Sequence, residues 1–252
     1  MNMIWVSANR LGYALLQEAV KVRGVKLRAI ITLTADSNII MYDGVKKEKW
    51  KNFSTNVLET NDINKVARFI KKVHPDLMVV CGWRQILNQK IIRIPKKGTV
   101  GFHPTLLPYG RGPAPIINTL LEGSEKTGLT MFYMDKNIDS GDIIAQQVIK
   151  LKKTDHAGDV YRKIITSGKT LVRKYLPLII QGLAPRIVQD LSKATVFIKP
   201  KLGNNRIDLD KEPLDEIFRK IKALSYPYKG ACIEKDRKRL IIWNAELQDV
   251  PI

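Results

Sequence analysis

The chain is predicted to fold as an α/β protein: a Rossmann-like, mostly parallel sheet with flanking helices, followed by a small C-terminal α+β appendage. Three observations carry this. β-branched runs such as MIWVS (3–7) and KLRAIITL (26–33) alternate with stretches of helical spacing. The run LMVVCGW (77–83) is apolar throughout, as expected of a strand covered on both faces. Beyond residue 186 the pattern loses its period until one amphipathic helix and one strand-like run near the end.

The elements follow in order. MIWVS reads as the first strand, Asn9 and Arg10 as a loop, and LGYALLQEAV (11–20) as a helix. KLRAIITL is the second strand. Between 61 and 73, Ile63, Val66, Ile70 and Val73 share a helical face, and His74-Pro75-Asp76 stops that helix before LMVVCGW. PAPIINTLLEG (113–123) reads as a short helix ending at Gly123, followed by the strands LTMFYMD and IIAQQVIKL with the loop KNIDSGD between them. Thr154 and Asp155 are placed to cap a long helix ending at Gly182. We draw the domain boundary near residue 186: residues 1–185 form the main domain and residues 186–252 a smaller C-terminal domain. In the latter, Ile217, Ile221 and Leu224 mark a helix and RLIIW a strand.

Composition removes several classes. With 252 residues, 44% hydrophobic and 27% charged, the chain is neither disordered nor too small for a core. Its longest apolar runs fall far short of the roughly 20 residues that span a bilayer, and MNMIWVSANR lacks the basic start of an export signal, so a cytoplasmic protein without membrane association is expected. Cys81 and Cys232 have no Cys or His at metal-ligand spacing; two buried thiols and no metal are expected. The 43 Lys and Arg against 24 Asp and Glu give +19, a field that attracts nucleic acid, anionic membrane or phosphorylated small molecules without choosing among them. The basic residues are scattered in short clusters, KKEKWK, KLKK and KDRKR, which favours a solvated face for most of them.

In a parallel sheet, ligands bind beyond the carboxyl ends of the strands. That nominates the loop of Asn9 and Arg10 and the loop of Trp83, Arg84 and Gln85. No G-x-G-x-x-G follows the first strand, which argues against an ordinary dinucleotide site. Of three histidines, His74 ends a helix and His156 begins one. His103, in GFHPTLLPYGRGPAPI (101–116), has no such structural duty. Asp139, in NIDSGD, is a second candidate, although Asp, Ser and Gly also favour turns and Asp135 and Asp142 lie close by.

Taken together, H-P-T-L-L-P, R-G-P-A-P-I and T-G-L-T-M-F-Y-M-D-K-N-I-D-S-G-D-I resemble the folate-dependent formyltransferases, most strongly over residues 75–150. The resemblance implies a formyl donor, 10-formyltetrahydrofolate, and an amine acceptor. It aligns His103 and Asp139 with the family's catalytic histidine and aspartate. Gly101 falls where relatives carry an asparagine that donates to the oxyanion formed as the amine attacks the formyl carbon. Losing one such donor costs about 10²- to 10³-fold in rate. Thr105 and Asn118 are the candidate substitutes. GWRQIL (82–87) is similar to the segment whose backbone grips the pterin, so Trp83, Arg84, Gln85, Ile86 and Leu87 are expected at the donor, with Leu107, Pro108, Asp135, Ile138 and Asp142. Asn9, Arg10, Arg111 and Asn118 are expected to meet the acceptor.

Two acceptors compete. RIDLDKEPLDEIFRKIKALSYPYKGACIE (206–234) resembles the start of the tRNA-binding region of methionyl-tRNA formyltransferases, with Leu209 where tryptophan is usual. Only about 50 residues follow Lys199, half of the C-terminal β-barrel domain of roughly 100 residues that the resemblance implies for tRNA binding. The preferred expectation is therefore a nucleotide-linked amino sugar. A tRNA acceptor or partner, or a catalytically weak folate-binding protein, is the alternative.

Overall fold

The computed structural model describes residues 1–37, 39, 41–200 and 205–249. Its centre is a seven-stranded sheet: β1 (Asn2–Val6), β2 (Lys26–Leu33), β3 (Val57–Thr60), β4 (Leu77–Cys81), β5 (Thr99–His103), β6 (Lys126–Tyr133) and β7 (Ile143–Lys150). The order is β3-β2-β1-β4-β5-β6-β7. The first five strands run parallel, while β6 is antiparallel to both of its neighbours. Strand order reverses between β1 and β4, and an open α/β sheet forms its ligand crevice at such a switch point. The loops of Asn9–Arg10 and Gly82–Gln85 leave the sheet there.

Side chains alternate between the faces, so each strand feeds two cores. Met3, Trp5, Leu77, Val79, Val100 and Phe102 pack with Leu15 and Leu16 of α1 (Arg10–Ala19) and with Val160, Ile164 and Leu171 of α6 (Ala157–Gln181). Ile4, Val6, Met78 and Val80 pack on the other face with Ile63 and with Ile70 of α3 (Ala67–Val73). The periodic stretch 61–73 is thus two pieces: a 3₁₀ turn at Ile63–Lys65 precedes α3. Three short elements carry too little period to be foreseen, namely β3, α2 (Lys47–Trp50) and α4 (Gln89–Ile92).

Helix α6 ends at Gly182, whose φ of 77° is the left-handed cap expected there. Its start differs from the sequence expectation. His156 is the N-cap residue rather than Thr154 or Asp155, and its backbone N–H donates to Asp159 Oδ2 at 2.9 Å. The Asp155 carboxylate is buried and already committed, to Lys163 and to the backbone N–H of Lys152.

After α6 the chain does not leave the sheet. Residues 187–198 run back as a strap: Ile187 exchanges both backbone hydrogen bonds with Ile143, Arg111 N–H donates to Thr195, and Phe197 N–H donates to Arg111. Helices α5 (Pro115–Leu121) and α7 (Leu214–Leu224) pack together, and β8 (Ala231–Lys235) and β9 (Lys238–Ile242) form a separate antiparallel hairpin. Cys81 and Cys232 are both buried thiols outside any disulfide, as expected. Among the described residues no helix is long and apolar enough to cross a membrane.

Candidate active site

His103 ends β5, and its position follows from alternation. Val100 and Phe102 face the α1/α6 core, so Gly101 and His103 face the other way, with Gly101 opposite Val80 of β4. The imidazole is buried. Its Nε2 lies 2.7 Å from the carbonyl oxygen of Gly110, and its Nδ1 lies 3.5 Å from Asp139 Oδ2. A carbonyl only accepts, so the Nε2 contact assigns a proton to that nitrogen. Nδ1 is left as the nitrogen that can exchange a proton, beside a carboxylate suited to hold the resulting cation.

Asp139 reaches this place from 36 residues further along the chain. The loop after β6 folds back over the sheet, and Asp139 adopts φ 50°, a left-handed conformation that aspartate tolerates better than most residues. Its Oδ2 also accepts the backbone N–H of Gly112 at 2.9 Å. The two groups paired by the resemblance therefore meet, enclosed and partly shielded from solvent.

Gly101 shows why no donor stands at the third position. A Cβ there would lie 2.9 Å from two ring atoms of Phe132 and 3.2 Å from Met134 Cγ. Phe132 sits opposite Gly101 on β6, and its ring fills the space where an asparagine side chain would start. Neither proposed substitute offers a free group. The Thr105 hydroxyl is buried and donates to the Gly110 carbonyl at 3.4 Å, and the Asn118 amide lies within hydrogen-bond reach of the carbonyls of Pro113, Ala114 and Ile198.

The residues expected on the donor side have their own partners. Leu107 is buried, in a cis bond to Pro108; its N–H donates to Thr130 Oγ1 and its carbonyl accepts from Gln146, which fixes the loop after His103. Asp135 caps its own turn by accepting from Asn137 N–H and Ser140 Oγ. Asp142 pairs with Arg186 at 3.3 Å. In the 82–87 segment Gln85 is tied to Ile63 and Asn61, Leu87 is buried, and Ile86 is exposed; Arg84 lies over the Tyr42 ring. Two features suit a flat hydrogen-bonding heterocycle: the exposed apolar side chains of Ile86 and Ile138, and the enclosed Trp83 Nε1, which has no acceptor.

The acceptor-side residues divide. Asn9 is structural: its side chain caps α1 by accepting from Gly12 N–H and donates to Asp43 at 3.0 Å. Arg10 lies against Tyr226, which it both stacks on and hydrogen-bonds. Arg111 Nε and Nη2 both donate to Gln189 Oε1. Gln189, Phe132, Thr195 and Phe197 are the neighbours that sequence reasoning missed. A hollow of about 410 Å³ between the start of α6 and Trp243, lined by His156, Arg162 and Tyr226, includes neither His103 nor Asp139.

The family described as formyl transferase matches residues 12–176. A methionyl-tRNA formyltransferase of Staphylococcus aureus is 36% identical over 172 residues, 68% of this chain and 55% of the relative, so the chain spans about half the length of the curated relatives it matches. Among solved structures, a sugar N-formyltransferase from a Shewanella species superposes with TM-score 0.75 at 19% identity, covering 99% of both chains. An N-formyltransferase from Helicobacter canadensis, in complex with folinic acid and dTDP-3-aminofucose, gives 0.70 at 18% identity, covering 93% of this chain and 84% of that one. Both likenesses confirm the fold, and the match over most of the sheet, including His103 and Asp139, establishes the kinship: the chain belongs to the formyl transferase family.

Proposed function

We propose that the protein moves a formyl group from 10-formyltetrahydrofolate to an amine, and that the amine belongs to a nucleotide-linked sugar. The observation that carries this is the His103–Asp139 pair, 3.5 Å apart and enclosed by the loops that follow β5 and β6. When bound, the folate supplies an activated formyl carbon. Nδ1 of His103 takes up or releases the proton, Asp139 stabilises the cation, and Gly110 keeps the ring from turning. Trp83, Arg84, Gln85, Ile86 and Leu87, with Leu107, Pro108, Asp135, Ile138 and Asp142, form the donor side. Arg10 and Arg111 serve the acceptor's phosphates. Residues 1–185 are assigned as the catalytic unit and 186–252 as the C-terminal unit.

The sugar acceptor is supported by the solved structures above, among them an enzyme holding a dTDP-amino sugar with a folate. Two observations favour a second reading, in which the acceptor or partner is a tRNA. The methionyl-tRNA formyltransferases are the relatives at 36% identity. The β8–β9 hairpin also gathers Lys235, Arg237, Lys238 and Arg239 beside Arg206, against Glu234 and Asp236 alone. Tetrahydrofolate release, measured with a panel of dTDP- and UDP-amino sugars and with methionyl-tRNA, separates the two. Turnover with an amino sugar supports the first reading, and turnover with methionyl-tRNA alone replaces it by the second. Folate binding without turnover on either sinks both and leaves a binding protein.

A further inference from the structure

Gln189 lies on the strap, far from any motif, and is 4% exposed. Every polar atom of its amide is used. The oxygen accepts from Arg111 Nε at 3.2 Å and Nη2 at 2.7 Å; the nitrogen donates to the carbonyls of Asp139 at 3.0 Å and Gly141 at 2.8 Å. The orientation is unambiguous, because a guanidinium can only donate and a carbonyl can only accept.

The loop so gripped needs holding. Asp139 is left-handed, and a Cβ on Gly141 would stand 1.8 Å from the Tyr133 carbonyl oxygen, so the turn is closed tightly against its own strand. On the far side, the Asp139 carboxylate is tied to Gly112 N–H, immediately after Arg111. Gln189 thus bridges the two loops from behind: the one that presents the carboxylate and the one that supplies the histidine's anchor at Gly110. The strap that carries Gln189 is itself pinned on both sides, at Ile187–Ile143 and at Arg111–Thr195–Phe197.

We infer that Gln189 is a positioning residue for the reaction: its amide sets where Asp139 stands relative to His103 and links that position to the Arg111 side chain. The inference rests on the formyl-transfer reading for its kinetic consequence, but not for its geometry. A residue that bridges both loops converts a shift in either into a shift of the pair, and misplacement of about 1 Å costs up to about 10²-fold in rate.

Two variants test it. Gln189→Met keeps the length and loses every hydrogen bond; Gln189→Glu is isosteric and keeps an acceptor for Arg111 but loses both donors to the 139 and 141 carbonyls. The expected result is a kcat for tetrahydrofolate release lower by about 10- to 100-fold in both, a clearly larger change than any rise in KM for the formyl donor. The second readout is the imidazole ¹⁵N spectrum. The chain has three histidines, so three ring systems are followed, and only His103 should move, while His74 and His156 stay. Retention of wild-type kcat and His103 resonances in Gln189→Glu alone would show that Gln189 serves only Arg111, and retention in both variants would show that it serves neither; either result overturns the inference. Should Gln189→Met fail to fold, the isosteric variant decides. Absence of turnover in the wild-type protein sinks the function reading, while the His103 spectrum still judges Gln189.

Discussion

The Oδ2 atom of Asp139 stands between two partners: His103 Nδ1 at 3.5 Å and the backbone N–H of Gly112 at 2.9 Å. A neutral amide at residue 139 keeps an acceptor for Gly112 and tolerates the left-handed backbone, but offers no charge to a protonated imidazole. Asp139→Asn should therefore fold normally and lose about 10²- to 10⁴-fold in turnover. Single-turnover release of tetrahydrofolate measures it; wild-type turnover in this variant would remove Asp139 from the chemistry.

Gly101 and Phe132 predict a coupled pair. Installing the family's asparagine by Gly101→Asn drives a Cβ into the Phe132 ring, and overpacking of this kind costs about 1–3 kcal/mol. Phe132→Ala alone opens a cavity and costs about 3–5 kcal/mol. The double variant relieves the overlap and partly fills the void, so its destabilisation should be clearly smaller than the sum of the two, which denaturant melts of the four proteins will show. Simple additivity would mean that the ring does not hold the asparagine's place.

How much of this was legible in the residues depends on the range of the interaction. Strands β1, β2, β4, β6 and β7 and helices α1 and α6 announce themselves through local period, because burial on one or two faces is written into neighbouring positions. His103 and Asp139 were legible because their flanking motifs are long. The ring of Phe132 over Gly101 was not, since it depends on the register of β5 against β6, which no local pattern records. Gln189 was hidden for a similar reason. Its partners lie 48 to 78 residues away, and a lone glutamine in an aperiodic segment carries no period at all. The N-cap of α6 differs from the expectation because Asp155, a good cap by type, is buried and claimed by Lys163 in a contact that the sequence does not display.

Alkaline pH should destabilise the protein through two half-buried phenols. Burial first, and then the Asp43 carboxylate, push the hydroxyls of Tyr161 and Tyr228 well above their ordinary range. Unfolded, each ionises near about pH 10; folded, each keeps its proton. The unfolded state then binds fewer protons above that pH, so stability is intact below about pH 10 and falls above it by ~1.4 kcal/mol per pH unit per tyrosine. Urea midpoints followed through the alkaline range should decline less steeply in Tyr228→Phe. An unchanged slope would show that Tyr228 ionises freely in the folded protein.

Gly110 ties the backbone to the proposed proton relay. Its carbonyl holds His103 Nε2, its φ is +69°, and a Cβ would lie 2.7 Å from the Phe197 ring and 2.9 Å from Thr105 Cγ2. Alanine is strained by that backbone angle and has no room between a buried threonine and the strap. Either Phe197 withdraws, loosening the strap, or the Gly110 carbonyl turns, freeing the imidazole. The second outcome costs turnover because the ring can then rotate away from Asp139, whereas the 82–87 segment, on a different loop, is untouched. Gly110→Ala should accordingly lower kcat by about 10- to 100-fold and weaken formyl-donor binding by a clearly smaller factor, measured by fluorescence titration with a non-reactive folate. Loss of donor binding in step with turnover would instead place Gly110 at the folate, and equal activity in both proteins would show that the carbonyl contact does not orient His103.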